Sequence, residues 1–377
     1  MAVSTDASTS EILNDLRTLV ECESPTKDSD AVHRSARAVA ALGERLLGFA
    51  PEWLFSEGVP YLRWTFGGGA DAVLLLGHHD TVWPLGSWGS EVWTVDAQTA
   101  SGPGIFDMKA GLVQILHAVA GLDDRRGITI LVTSDEEIGS PSSRAVISAQ
   151  ALAAGVVLVT EASAPGGALK TARSGVAHYL VQVAGRAAHA GLEPECGVNA
   201  TVEIARQVLA IAALGELTAD ATITPTLLAA GDSANTVPAS ARLTVDVRAR
   251  TRDAFWAVDA ALTSLVAQTT GATVTVERSF ASPPLEAASS GALFELATAV
   301  AREQGLPPLA SAAVGGASDG NIAADAGALV LDGLGAVGGG AHARGEHVLI
   351  DELEPRTVLL RELVRAIQGG RLGEARR

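Results

Sequence analysis

Apolar runs of six to nine residues alternate with amphipathic stretches over much of the chain. Those that predict buried strands are 72–77 (AVLLLG), 127–134 (GITILVTS), 155–160 (GVVLVT) and 327–335 (GALVLDGLG). Helical spacing of apolar residues is found between them, at 108–122 and 142–155. Strands without a polar face that alternate with helices indicate an α/β fold whose sheet is covered on both sides.

The middle of the chain has a different pattern. Its predicted strands and helices follow in the order 178–187 (strand), 198–214 (helix), 221–231 and 241–250 (strands), 251–270 (helix) and 272–280 (strand). This β-α-β-β-α-β order is that of a ferredoxin-like sandwich. We therefore expect a small domain of residues 175–283 inserted into a larger domain formed by 1–174 and 284–377.

Composition and charge narrow the possible functions. A chain of 377 residues with 47% hydrophobic residues is long and apolar enough for two packed cores. Its net charge of -16 argues against binding to nucleic acid or to an anionic membrane surface. Neither a secretory leader nor a membrane-spanning run is recognisable, which predicts a cytoplasmic protein.

Histidine and acidic residues follow three of the predicted strands. They are His78, His79 and Asp80 after the first strand, Asp135, Glu136 and Glu137 after the second, and Glu161 after the third. Ligands of open α/β sheets bind beyond the carboxyl ends of the strands. An acidic triplet alone is usually a solvated turn, but coincidence at three strand ends favours a bound cation, because clustered carboxylates repel one another.

Two further segments carry candidate ligands. Asp107, within 102–111 (GPGIFDMKAG), directly precedes a predicted helix and could be either an N-cap or a ligand. His342 and His347 both lie in the glycine-rich segment 338–347 (GGGAHARGEH), and their chemistry alone does not rank them.

Seven segments together resemble the dinuclear zinc metallopeptidases and amidohydrolases, the family of glutamate carboxypeptidase, acetylornithine deacetylase, succinyl-diaminopimelate desuccinylase and the aminoacylases. In chain order they are GHHDTV, GPGIFDMKAG, TSDEEIGS, VLVTEA, GRAAHAG, NTVPASARLTVDVR and GGAHARGE. The resemblance is greatest to the carboxypeptidase G type. It implies a three-layer catalytic domain of the zinc-hydrolase type with an inserted ferredoxin-like domain that serves as lid and dimerisation domain.

The resemblance also implies a ligand set for two Zn²⁺ ions. His78 and Glu161 would complete the ligand set of one ion, and Glu137 and His342 that of the other. Asp107 would bridge the two ions. Imidazole and carboxylate ligands suit zinc, and Co²⁺ or Mn²⁺ could substitute. The peptide after Asp107 is expected to be cis.

Catalytic roles follow from the same resemblance. Asp80 would orient the imidazole of His78. Glu136 would be the general base that takes the proton of a zinc-bound water and returns it to the leaving amine. For Asp135, a contact within the turn is the preferred interpretation.

Substrate recognition is assigned by resemblance to three residues of the small domain and one outside it. His189 would stabilise the oxyanion, acting in cis or from a partner subunit. Arg248 would bind the substrate carboxylate with help from Asn235, and Ser318 in GGASDG is a further candidate. Dimerisation through the lid domain is implied as well. A preference for glutamate is not implied, because Lys170 and Arg173 do not match the family's offsets.

Three hypotheses follow for the function. The first is a zinc carboxypeptidase or amidohydrolase acting on N-acyl amino acids or short peptides. The second is a specialised deacylase or aminoacylase for another acyl-amino acid, and the third is a non-catalytic metal-binding scaffold. No P-loop of the nucleotide-binding proteins is present. The acyl group, the amino acid and the physiological metal are left open.

Overall fold

The computed structural model of the protein describes residues 8–67, 72–216 and 218–375. Its helices are α1 (Thr9–Glu21), α2 (Ser29–Leu47), α3 (Ala110–Ala120), α4 (Arg144–Ala154), α5 (Ala200–Ala213), α6 (Arg252–Thr263), α7 (Gly291–Glu303), α8 (Asp319–Asp325), α9 (Ile350–Gln368) and α10 (Arg371–Ala375). Its strands are β1 (Glu52–Ser56), β2 (Val59–Thr65), β3 (Val73–His78), β4 (Thr94–Val95), β5 (Thr99–Ser101), β6 (Ile128–Thr133), β7 (Val156–Val159), β8 (Leu169–Arg173), β9 (Gly175–Ala184), β10 (Ala188–His189), β11 (Ala221–Ala230), β12 (Thr236–Val237), β13 (Ser240–Ala249), β14 (Thr273–Ser282), β15 (Ser311–Val314), β16 (Leu329–Leu331), β17 (Gly338–Gly339) and β18 (His347–Leu349).

The chain divides into two compact units. Unit 1 contains the chain up to Ala172, the segment Ala287–Val314 and the chain from Ser318 onwards. Unit 2 contains Arg173–Glu286 and Gly315–Ala317. The assignment of a catalytic domain to 1–174 and 284–377, and of a lid to 175–283, stays a prediction.

Unit 1 is built on a six-stranded sheet with the order β1-β2-β6-β3-β7-β16. The four strands β6, β3, β7 and β16 run parallel, and β2 and β1 continue the sheet antiparallel at one edge. Val73 and Leu75 of β3 belong to the core that includes α1, α3 and α9, whereas Leu74 and Leu76 alternate to the face where α4 and α8 contact β3. All four side chains are fully buried, as a sheet covered on both faces requires.

Two glycines allow the chain after β7 to pack closely in this unit. A Cβ atom on Gly111 of α3 would lie 1.9 Å from the carbonyl oxygen of Thr160, and a Cβ on Gly335 would lie 2.2 Å from the same oxygen. Only glycine fits at such distances. The backbone of Thr160 and Glu161 is thereby fixed between α3 and the segment that follows β16.

Unit 2 contains a four-stranded antiparallel sheet with the order β11-β13-β9-β14. Helices α5 and α6 pack on it, and their apolar residues form one core with alternate residues of the strands. This is the ferredoxin-like topology that the sequence predicts, and with unit 1 it confirms the α/β fold class with an inserted α+β domain.

The structure differs from the prediction in the length of one helix and in strands that the sequence did not predict. The helix predicted over 251–270 ends at Thr263, and beyond its end the carboxylate of the buried Glu203 accepts hydrogen bonds from the backbone N–H groups of Gln268 and Thr269. These N–H groups are therefore not available for a helix. Strands β1 and β2 were not predicted. Within the described residues, no helix combines the length and the hydropathy needed to cross a bilayer.

Candidate metal centre

The parallel strands of unit 1 carry polar side chains at their carboxyl ends. His78 is the last residue of β3, and Glu161 follows β7 by two residues. Glu136 and Glu137 lie in a short helical turn that begins three residues after β6. Since β3 lies between β6 and β7, these side chains meet at one edge of the sheet.

Asp107 joins two groups of potential metal ligands. Its Oδ1 atom lies 3.5 Å from Nε2 of His78, which is 3.3 Å from Oε1 of Glu161. Its Oδ2 atom lies 3.3 Å from Nε2 of His342, which is 3.1 Å from Oε2 of Glu137. In each group the ligand atoms all lie within 4.8 Å of one another, so each could hold one metal ion.

The chemistry of His78 fits such an ion. Its side chain is almost fully buried, yet its Nε2 atom makes no hydrogen bond to any of the described residues. Its Nδ1 atom lies 3.1 Å from the carbonyl oxygen of Asp80 and 3.3 Å from Oδ1 of the same residue. A ring held through Nδ1, with a buried and unbonded Nε2, is typical of a metal-ligating histidine.

The ionisation behaviour of the cluster also indicates a site for positive charge. Burial raises the pKa of Glu136 well above its ordinary value, and it raises the pKa of Glu137 to about 7. Hydrogen bonds to Asp107 and Glu137 raise the pKa of His342 to about 10. Burial acts to raise the pKa of Asp107, but the neighbouring imidazoles of His342 and His78 hold it below its usual range. A divalent cation would relieve the repulsion among these carboxylates.

Asp80 connects the ends of β3 and β6. Its fully buried carboxylate accepts hydrogen bonds from the backbone N–H groups of Glu136 and Glu137, at 3.3 and 3.2 Å, and from the hydroxyl of Thr26 at 2.7 Å. The carboxylate next to the His78 ring therefore also fixes the turn that presents Glu136 and Glu137.

Asp135 lies away from both groups of ligands. Its carboxylate accepts hydrogen bonds from the backbone N–H groups of Ser142 and Ser143, at 2.8 and 3.1 Å, and from the Ser143 hydroxyl at 2.5 Å. This agrees with the preferred interpretation of Asp135 as a residue that contacts its own turn.

The loop that presents Asp107 depends on a residue that the sequence analysis missed. The fully buried Glu346 accepts hydrogen bonds from the backbone N–H groups of Gly104, Phe106 and Asp107 at 3.0–3.1 Å, and from the indole of Trp83 at 2.8 Å. Asp107 is not an N-cap of α3, and the Asp107–Met108 peptide is cis, as expected. An acidic residue in a glycine-rich segment gives no sign of this role in the sequence.

We expect Glu346→Gln to weaken the binding of a divalent metal about 10- to 100-fold and to lower the free energy of unfolding by roughly 2 kcal/mol. The amide would place an NH₂ group against backbone donors that now meet a carboxylate oxygen. Calorimetric zinc titration and denaturant unfolding measure the two effects, with Glu44→Gln on the exposed side of α2 as the control. Zinc affinity equal to that of the control would show that the Asp107 loop is held without Glu346.

The structure separates the two histidines of the segment 338–347. His342 has a positive φ of 59°, and its Nε2 atom faces Asp107 and Glu137. His347 lies in β18, and its Nδ1 atom is 2.7 Å from the carbonyl oxygen of Gly345. Only His342 is part of a candidate ligand group within the described residues.

The residues predicted to contact the substrate lie partly in unit 2. His189 is exposed in β10, where its Nδ1 accepts a hydrogen bond from the Gly191 N–H. Asn235 is exposed and accepts a hydrogen bond from Ser233. The guanidinium of Arg248 forms a two-pronged ion pair with Asp246 at 2.9 Å, so it is already bound to one carboxylate.

Ser318, in unit 1, is the N-cap of α8. Its hydroxyl accepts a hydrogen bond from the Gly320 N–H and donates one to Asp332 at 2.7 Å. The structure therefore gives this hydroxyl a capping contact, and its predicted contact with substrate stays a prediction.

The chain was compared with known proteins. The sequence profile of Peptidase family M20/M25/M40 matches residues 74–366. Carboxypeptidase G2 from Pseudomonas sp. (strain RS-16) is 31% identical, over 96% of this chain and 90% of that protein. Succinyl-diaminopimelate desuccinylase from Wolinella succinogenes is 28% identical, over 74% of this chain and 80% of that protein.

Solved structures support the same fold. The M20 family metallo-carboxypeptidase Sso-CP2 from Sulfolobus solfataricus has a TM-score of 0.73 at 16% identity, over 95% of this chain and 99% of that chain. The tripeptidase SAV1512 from Staphylococcus aureus has a TM-score of 0.71 at 21% identity, over 96% of this chain and 99% of that chain.

The family match and the site agree. The profile covers most of the chain, and enzymes of this family are metal-dependent hydrolases of amide bonds. The two groups of ligands that share Asp107 provide residues suited to such a metal. The chain is thus a hydrolase acting on amide bonds, and it belongs to peptidase family M20/M25/M40.

Proposed function

We propose that the chain is a dinuclear zinc hydrolase that cleaves the amide bond of N-acyl amino acids or short peptides with a free C-terminal carboxylate. The observation that carries the proposal is the carboxylate of Asp107, whose two oxygens face His78 and His342 in separate groups of ligands. Similarity to carboxypeptidase G2 along nearly the whole chain supports the choice of substrate class.

His78 and Glu161 would hold one zinc ion, Glu137 and His342 would hold the other, and Asp107 would bind both. Each group offers one imidazole nitrogen and two carboxylates, a ligand set that suits zinc and that Co²⁺ or Mn²⁺ could also occupy. Zinc bound there would polarise the scissile carbonyl and make water more acidic.

Glu136 is the proposed general base. Its Oε2 atom lies 3.8 Å from Nε2 of His78, and its carboxylate belongs to neither group of ligands. It would take a proton from the attacking water and return it to the nitrogen of the leaving amine. Asp80 would keep the His78 ring oriented and, through the backbone of Glu136, keep this carboxylate in position.

Arg248 and Asn235 are proposed to bind the free carboxylate of the substrate, and His189 to stabilise the oxyanion. The ion pair with Asp246 supports the role of Arg248, because it holds the planar guanidinium in one orientation. The Asp246 carboxylate already compensates the guanidinium charge and would repel a second carboxylate, so Asp246 also limits how tightly substrate can bind.

A specialised deacylase is the second candidate, and the similarity to succinyl-diaminopimelate desuccinylase favours it. That reaction would use the same metal ligands and the same base with a different acyl group. A non-catalytic metal scaffold is less well supported, because a scaffold needs ligands but does not need the non-ligating Glu136 beside them.

A panel of N-acyl amino acids and dipeptides, incubated with the zinc-loaded protein, tests the proposal through release of the free amino acid. We expect release from substrates with a free α-carboxylate and at least tenfold less from their methyl esters, because the esters lose the ionic contact with Arg248. Amino-acid release from succinylated diamino acids alone would favour the deacylase. No release from any member, with two zinc ions bound, would contradict the proposal.

The predicted homodimer forms part of the same proposal. Strand β11 lies at one edge of the sheet of unit 2, and its Leu227 and Leu228 are 70% and 57% exposed. An edge strand with exposed apolar residues is suited to pair with a second copy. The cytoplasmic location stays a prediction.

A further inference from the structure

Three large apolar side chains in unit 1 are exposed around a single cavity. Val82, Leu85 and Ile138 are 40%, 45% and 48% exposed, which places them outside the core. Together with Pro25 and Pro84 they line a cavity of about 570 Å³. Apolar side chains clustered on a surface mark binding grooves more often than isolated ones do.

The walls of the cavity continue from the segments that carry the candidate metal ligands. Val82 and Leu85 follow β3 and its His78, and Ile138 follows Glu137 directly. The wall that contains Pro25 is fixed to the end of β3, because the Thr81 N–H donates to Ser24 and the Thr26 N–H donates to the Thr81 carbonyl. The cavity is therefore held in place by the same backbone as the metal centre.

Glu137 links the cavity to the metal centre. It lines the cavity, and its Oε2 atom is 3.1 Å from Nε2 of His342. A group in the cavity would therefore be separated from the proposed metal centre by no more than this side chain. The volume is within the range of about 300–1,000 Å³ that is usual for sites of small ligands, which are mostly apolar with a few polar groups.

The charges of the cavity wall indicate which part of the substrate the cavity would bind. One lysine, Lys27, stands against two carboxylates, those of Asp28 and Glu137. The Asp28 side chain also caps α2 through the Ala31 N–H. The metal would compensate the charge of Glu137, and Lys27 and Asp28 balance each other, so the wall has no surplus positive charge for the carboxylate end of the substrate. Its apolar side chains favour a hydrocarbon group instead.

We propose that this cavity is the subsite for the acyl part of the substrate, and that it selects linear aliphatic or aromatic acyl groups over acetyl. The inference rests on the proposed function, in which the amino-acid part of the substrate is recognised by Arg248. Val82, Leu85 and Ile138 are then the side chains that determine acyl-chain specificity.

The test uses a series of N-acyl derivatives of one amino acid, the one released fastest by the zinc-loaded protein. We expect kcat/KM to rise at least about tenfold from acetyl to hexanoyl, because each methylene group removed from water contributes about 0.8 kcal/mol when fully buried. Leu85→Ser should reduce the ratio of the hexanoyl to the acetyl value about fivefold or more. Val82→Ser provides the same test should Leu85→Ser fail to fold.

Leu152→Ser is the matched control. Leu152 is 70% exposed on α4 of the same unit and does not line the cavity, so its replacement should leave the ratio unchanged. A wild-type ratio near one, or equal ratios in Leu85→Ser and Leu152→Ser, would overturn the assignment of the cavity.

Equilibrium binding separates this inference from the proposed function. If no derivative is hydrolysed, calorimetry compares the binding of the hexanoyl and acetyl compounds to the zinc-loaded protein. Tighter binding of the hexanoyl compound that is lost in Leu85→Ser would support the cavity and contradict hydrolysis. Equal binding, or none, would overturn both.

Discussion

Glu136→Gln is expected to lower the rate of amide hydrolysis by about 10²- to 10⁴-fold, the usual contribution of a general base. Glutamine keeps the shape of the side chain but does not accept the proton of the attacking water. Because Glu136 belongs to neither group of ligands, the variant should still bind two zinc ions. Amino-acid release under saturating zinc, together with the metal content of the same sample, measures both properties.

Glu44→Gln, the same change at an exposed position on α2, is the control and should retain full activity. A Glu136→Gln protein with two zinc ions and an undiminished rate would assign the proton transfer to another group. A variant that loses both its activity and one zinc ion would instead place Glu136 among the ligands.

The second large effect is expected for Asp107→Asn. Asp107 is the only residue common to both candidate groups within the described residues, so its change should weaken metal binding by both. We expect each affinity to fall at least about 100-fold, since even residues behind the ligands contribute 10- to 100-fold. An amide offers one neutral oxygen where the carboxylate offers two that share a negative charge.

Thermal stability gives a measurement that is independent of activity. Zinc at 100 times its Kd stabilises the folded protein by about 2.7 kcal/mol, whereas after a 100-fold loss of affinity the same concentration contributes only about 0.4 kcal/mol. Asp124→Asn is a matched control at an exposed carboxylate of the same unit. If Asp107→Asn kept the full zinc-dependent rise in Tm, the bridging role would be wrong.

The repeating pattern of apolar residues was sufficient to predict most of the fold. Strands such as β3 and β6 are fully or almost fully buried, so apart from His78 at the end of β3 every position is apolar or small, and the run is visible in the sequence. β2 contains Pro60 and Arg63 and pairs antiparallel near the sheet edge, where polar residues are tolerated, and for this reason it was missed.

The part of the site at the strand ends was also predictable. The carboxyl ends of neighbouring parallel strands meet at one edge, so His78, Glu137 and Glu161 must lie close together once the strands are recognised. That argument does not extend to Asp107 or His342, which lie in loops. Their proposed roles came from the family resemblance, and the structure supplies the distances from Asp107 to His78 and to His342.

The sequence by itself determined the long buried strands, the inserted domain and the family of this protein, because apolar periodicity and short ordered motifs are local properties of the chain. Only the tertiary structure decided how Glu346 reaches the loop of Gly104–Asp107, some 240 positions away, and how Val82 and Ile138 meet around one cavity. In the sequence, a glutamate whose buried carboxylate accepts hydrogen bonds from backbone N–H groups cannot be distinguished from an exposed glutamate. What distinguishes the two is the set of neighbours, and packing between distant segments determines that set.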